Sequence, residues 1–161
     1  MTIETEKPGH YEEIPDVNLS PGGWVIESRE PRAGWACVLR YKEHRKSLYG
    51  PARSRSEIRM EILGIVNGLK NLKRPSHVTV QTATDYIYDC IYQLLRPRAR
   101  YSFPGEVHSG KAKNADLWQE FEVLCKPHVI EPGWVPARCH YKDSEAARYE
   151  ARSAAKYKRS A

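Results

Sequence analysis

Residues 34–41 read Gly-Trp-Ala-Cys-Val-Leu-Arg-Tyr. Aromatic, β-branched and aliphatic side chains crowd this run, proline is absent, and the spacing is not helical, so it reads as a strand. The charged cluster Lys42–Lys46 reads as a turn, and Arg45–Gly50 returns beside the first run as a second strand. Upstream, Trp24-Val25-Ile26-Glu27 is a short strand, so the three together predict an antiparallel meander. Downstream the period changes. Ile58, Ile62, Ile65, Val66 and Leu69 fall at helical spacing within Glu57–Leu72, with Ser56 as N-cap and Pro75 as the stop.

Beyond that helix, His77-Val78-Thr79-Val80-Gln81-Thr82 is β-branched and brief, which makes it a strand. Asp85–Leu95 and Asn114–Cys125 read as helices, separated by an irregular basic stretch from Arg96 to Lys113. Val129–Val135 is a fifth strand, demoted to an edge or bulged by Pro132-Gly133. Asp143–Tyr157 is alanine-rich and helical, with Asp143 placed to cap it. The order β-β-β-α-β-α-α-β-α predicts an α/β domain. Its sheet has five strands and is mixed: a three-strand antiparallel meander plus two parallel strands reached by right-handed crossovers, flanked by helices.

The 161 residues carry 26 Lys+Arg against 20 Asp+Glu, a net charge of +6. That charge is unevenly spread. Residues 1–22 hold Glu4, Glu6, Glu12, Glu13 and Asp16 against Lys7, together with Pro8, Pro15 and Pro21. They read as an acidic extended arm, either a solvated tail or a cover for a basic face. Residues 23–161 form the folded domain, and its basic excess predicts a polyanionic partner, most commonly nucleic acid. No apolar run is long enough for a membrane span, and no secretory signal is visible. Four widely spaced cysteines without CxxC then suit a reducing, cytoplasmic setting. A monomer is the default expectation.

Ligands of open α/β sheets gather at the carboxyl ends of strands. Two acidic residues fall there: Glu27 at the end of the first strand and Glu61 one turn into the first long helix. Converging carboxylates from separate elements can hold Mg²⁺ or Mn²⁺, which makes Glu27 and Glu61 the candidate metal ligands, although a Glu on a strand end or helix is usually a solvated charge. The basic stretch interleaves Arg96, Arg98 and Arg100 with Tyr101 and Phe103, and Lys111 and Lys113 follow. This pattern fits phosphate binding combined with stacking, and it equally fits an exposed loop held down by its aromatics. Cys125, His128, Cys139 and His140 lack the spacing of a zinc site.

From Trp24 to the C-terminal helix the chain resembles bacterial type 1 ribonuclease H. The resemblance rests on Gly34–Tyr41 as the second strand and on Arg59-Met60-Glu61-Ile62, similar to the RMEL segment that supplies a metal-binding Glu. It rests equally on Lys113-Asn114-Ala115-Asp116-Leu117-Trp118-Gln119, similar to the KNxDLWQ helix start, and on the last strand, Val129–Val135. The resemblance implies two-metal hydrolysis of the RNA strand of an RNA–DNA hybrid. Water would be the nucleophile, the 3′-oxygen the leaving group, and Arg96–Lys113 the basic substrate-handling region.

It also exposes departures. Glu27-Ser28 stands where the family's first-strand Asp precedes Gly-Ser. Ala83 falls at the second-helix Asp position. The last carboxylate is Glu150, Arg148 or Asp143, depending on how the loop is counted. A methyl group at 83 cannot hold a metal, and losing a shared ligand removes on the order of 10³-fold in rate or more. The expectation is therefore a ribonuclease H-family protein that engages hybrid or related duplex but is impaired or inactive as a nuclease. The alternative is a non-catalytic pseudo-nuclease serving as a protein-interaction or regulatory module.

Overall fold

The computed structural model describes residues 14–136 and 141–157. Its elements are β1 (Asp16–Ile26), β2 (Arg32–Tyr41), β3 (His44–Ala52), α1 (Glu57–Lys70), β4 (His77–Thr82), α2 (Asp85–Leu95), α3 (Phe103–Ser109), α4 (Ala115–Cys125), β5 (Val129–Trp134) and α5 (Lys142–Lys156). The five strands form one sheet in the order β3-β2-β1-β4-β5. β1–β2 and β2–β3 pair antiparallel, whereas β4 joins β1 and β5 joins β4 in parallel. This is the mixed meander-plus-crossover sheet that the sequence predicts.

Two faces of the sheet bury two different cores. On one face, Leu19, Cys37, Val78 and Val80 pack with Ile62, Ile65, Val66 and Leu69 of α1 and with residues of α2 and α4. Each of those α1 side chains is at most 2% exposed, and burial of one such aliphatic contributes about 1.5–3 kcal/mol. Ser56 caps α1 as expected, its Oγ accepting from the Arg59 N–H at 3.0 Å. The other face is thinner. Ala36 and Val38 of β2 meet Ala147 and Ala151 of α5. Gly22 and Gly34 leave room for the α5 backbone itself, which lies where a Cβ would project.

Three expectations need correction. The acidic arm assigned to residues 1–22 does not run to Gly22: Asp16–Gly22 belong to β1, the central strand, with Leu19 and Ser20 fully buried. Residues 1–13 lie outside the described residues. Pro21, counted among the arm's prolines, sits with Gly22 and Gly23 within the strand. It lies beyond Leu19, where β4 pairing has ended and, among the described residues, β1 pairs with β2 alone, so a proline interrupts little. Secondly, Arg96–Lys113 is not wholly irregular, because α3 runs through it with Pro104 in its first turn. Finally, Asp143 does not cap α5. Tyr141 is the N-cap residue, and the Asp143 carboxylate turns to Arg40 of β2.

Candidate functional site

β1 and β4 run side by side only from Asp16–Leu19 against His77–Val80. Beyond that, β1 continues with β2 and β4 with β5. The divergence opens a cleft of about 490 Å³ at the carboxyl ends of the parallel strands, the position where α/β sheets bind ligands. Gly22 and Gly23 border it from β1, Ala83 and Thr84 from the β4–α2 junction, Glu57 and Glu61 from α1, and Glu145 and Arg148 from α5.

Glu61 is half-buried and the least exposed carboxylate of this cleft. The Thr84 hydroxyl donates to it, at 3.0 Å from Oε2 and 3.2 Å from Oε1. Desolvation pushes its pKa up to about 7; the nearby Glu57 charge pushes the same way, while the Thr84 hydrogen bond and the Arg148 charge oppose. Its helix is held by Arg59, two residues earlier. The Arg59 guanidinium makes a bidentate pair with Asp116, at 2.7 and 3.0 Å, and also donates to Asn114 Oδ1 at 3.2 Å. The segments 59–62 and 113–119 thus meet through Arg59, with Asn114 in the left-handed region (φ 62°) at the start of α4.

The surroundings of Glu61 are unusual for a carboxylate site. A Cβ built at Gly22 would lie 2.4 Å from the Ala147 carbonyl carbon, so α5 backbone occupies the space that a side chain there requires. Ala83 contributes a methyl group. Arg148 brings a positive charge, and its guanidinium lies over the Trp24 ring at 5.0 Å, with Arg152 over the same ring at 5.1 Å. Glu57 and Glu145 are exposed carboxylates. Among the described residues, no group of three or more His, Cys, Asp or Glu side chains is arranged to hold a metal ion.

Glu27 does not join Glu61. It follows the end of β1, four residues past Gly23, or roughly 13 Å further along an extended chain. Its side chain is 77% exposed and lies 3.6 Å from Arg55. Glu150 is not among the cleft-lining residues; two positions after Arg148, it points about 200° away around the helix. Asp143 is buried in a pair with Arg40 at 2.7 and 2.8 Å, which holds its carboxyl below the usual range. Of the three options for the last carboxylate, the one that borders the cleft is Arg148, which is not an acid.

Arg96, Arg98, Arg100, Lys111 and Lys113 are all exposed, around α3. Tyr101 is half-buried under the Arg100 guanidinium, and Arg96 lies over Tyr92. Phe103 packs edge-on against the buried Trp118, so it anchors this region from below. Cys125 is buried, with its thiol pushed up to about 12, and His128 Nδ1 accepts from the Ser76 N–H at 3.0 Å. These are structural roles; Cys139 and His140 lie outside the described residues. The sequence reading missed Gly22 and Thr84, and it took Glu145 for an ordinary helix-surface residue. Gly22 left no signal, because its role depends on what packs against it.

A family model described as RNase H matches residues 25–156. Ribonuclease H of Campylobacter jejuni (serotype O:23/36, strain 81-176) is 34% identical over 122 residues, covering 76% of this chain and 80% of the relative. Among solved structures, LC9-RNase H1, described as a type 1 RNase H with the type 2 active-site motif, aligns with a TM-score of 0.68. The identity is 20%, and the match covers 90% of this chain and 74% of that one. LC11-RNase H1, solved in complex with RNA/DNA hybrid, aligns with a TM-score of 0.59 at 12% identity, covering 86% and 96%.

Proposed function

The chain belongs to the RNase H family, and from that premise we propose that it engages RNA–DNA hybrid, or a related duplex, through its basic face without hydrolysing it. The observation that carries this reading is the company Glu61 keeps: a glycine with no room for a side chain, a methyl group and a guanidinium. Two divalent cations about 4 Å apart need three or four converging carboxylates for neutralisation and orientation. One half-buried carboxylate with exposed Glu57 and Glu145 beside it, facing Arg148, does not fit such a centre. Neither Mg²⁺ nor Mn²⁺ is therefore assigned a step.

Support for the duplex partner comes from the charge and from the family. Five exposed cations, Arg96, Arg98, Arg100, Lys111 and Lys113, surround α3, the region that the family resemblance assigns to substrate handling. Among the described residues no helix is long and apolar enough to cross a membrane. Cys37, Cys90 and Cys125 are free and buried, which suits a reducing cytoplasm.

Labelled RNA–DNA hybrid incubated with the protein in Mg²⁺ or Mn²⁺ tests the reading. Retarded but intact hybrid is the expected result. Ala83→Asp is expected to leave the hybrid intact as well, because it restores a single acid and leaves Gly22 and Arg148 as they are. Cleavage by the unaltered chain would refute the reading. Absence of hybrid binding even at low salt would favour the protein-interaction alternative.

A further inference from the structure

Four arginines of this molecule are matched to acids. Arg40 and Arg45 face Asp143, Arg55 faces Glu27, and Arg59 faces Asp116. Arg96 and Arg100 each lie over a tyrosine ring, whereas Arg148 and Arg152 share a single ring. Both are exposed, and neither has a carboxylate within salt-bridge distance among the described residues. Instead both guanidiniums lie over the indole of Trp24, at 5.0 and 5.1 Å. Trp24 stands on the α5 side of β1, packed against Ala36, Val38, Ala147 and Ala151. The arginines are four apart on α5 and so share one helix face.

A cation–π contact holds a guanidinium in place without using its N–H donors, which remain available for bidentate pairing with a phosphate. Arg148 also borders the Glu61 cleft. The geometry points to a metal-free phosphate clamp: Arg148 and Arg152, held by Trp24, bind backbone phosphate of a nucleic-acid duplex at the mouth of the cleft. In effect, the charge that a cation would supply comes from the helix itself. This assignment rests on the duplex-binding reading above and adds to it the element that grips the backbone.

The test is hybrid binding by fluorescence anisotropy, in EDTA and in Mg²⁺, over a salt series. The double variant Arg148→Met, Arg152→Met keeps an apolar cover on Trp24 and removes both charges, and its fold is checked by circular dichroism and thermal melting. The unaltered protein should bind in EDTA at least as tightly as in Mg²⁺, which competes for the same phosphates. The folded variant should bind at least about tenfold more weakly, with the slope of log K against log salt shallower by about 2, at about 0.9 per phosphate neutralised. A folded variant with unchanged affinity and slope would overturn the clamp and leave the duplex-binding reading standing. Binding that requires Mg²⁺ would also overturn it. No hybrid binding by the unaltered protein would overturn both.

Discussion

Glu61 holds its proton to a pH at which an ordinary glutamate has long been ionised. Its carboxyl is desolvated beneath Thr84, and its pKa of about 7 lies above the unfolded value of 4.5. Between those values the folded protein binds more protons than the unfolded chain, so stability falls as pH rises through the window and stays lowered above it. Glu61→Gln removes that dependence. Its melting temperature should exceed that of the unaltered protein at about pH 8, by the equivalent of about 1–3 kcal/mol, and the gap should narrow at about pH 5. A gap constant across that range would count against the desolvated-carboxyl account. Gly22 permits a second test at this scale. Gly22→Ala places a Cβ against the Ala147 backbone, and relieving the clash requires α5 to shift. Overpacking of this kind costs about 1–3 kcal/mol, readable as a lower denaturant midpoint at unchanged slope.

α5 is the element that decides what the cleft can be. Small residues bring it down onto the sheet: Ala147 against Gly22, Ala151 against Gly34, with Ala155 following on the same face. The buried Asp143 carboxylate, bidentate to Arg40 and 3.7 Å from Arg45, fixes its first turn to β2 and β3. The Arg40 guanidinium holds the Asp143 carboxyl below its ordinary range, so the pair contributes stability above the unfolded carboxylate pKa and loses it as pH falls through the folded one. Asp143→Asn should lower the melting temperature at neutral pH, with the difference closing in acid. A loss that persists undiminished in strong acid would point to packing instead of charge. The same helix presents Arg148 to the cleft, so one element closes the space above Gly22 and supplies the opposite charge.

At the scale of the whole molecule, an overall charge of +6 and the exposed basic cluster around α3 predict duplex binding that weakens steeply with salt. Neutralising Arg96, Arg98 and Arg100 together should make the logarithmic slope shallower by up to about 2.7, because each phosphate left without its cation accounts for about 0.9. An unchanged slope would move the interface elsewhere. The sequence alone determined the meander, the crossovers and most element bounds, because hydrophobic period, N-caps and prolines are local signals. β4 at His77–Thr82 and α2 at Asp85–Leu95 match their predicted spans. It also singled out Glu61 and Ala83, which sit in or beside recognisable segments and both border the cleft. It misread the start of β1, since the prolines and acidic charge of residues 1–22 read as an extended arm, and the family match likewise begins only at Val25. Glu27 as a ligand rests on its place at the strand's end, whereas the cleft opens earlier along β1, at Gly22 and Gly23. Which acids meet, that Arg148 and not Glu150 borders the cleft, and that helix backbone fills the space at Gly22 were decided only by tertiary structure. Those facts depend on how closely α5 approaches β1, and that distance is set by packing between segments more than a hundred residues apart in the chain, beyond the reach of any local pattern.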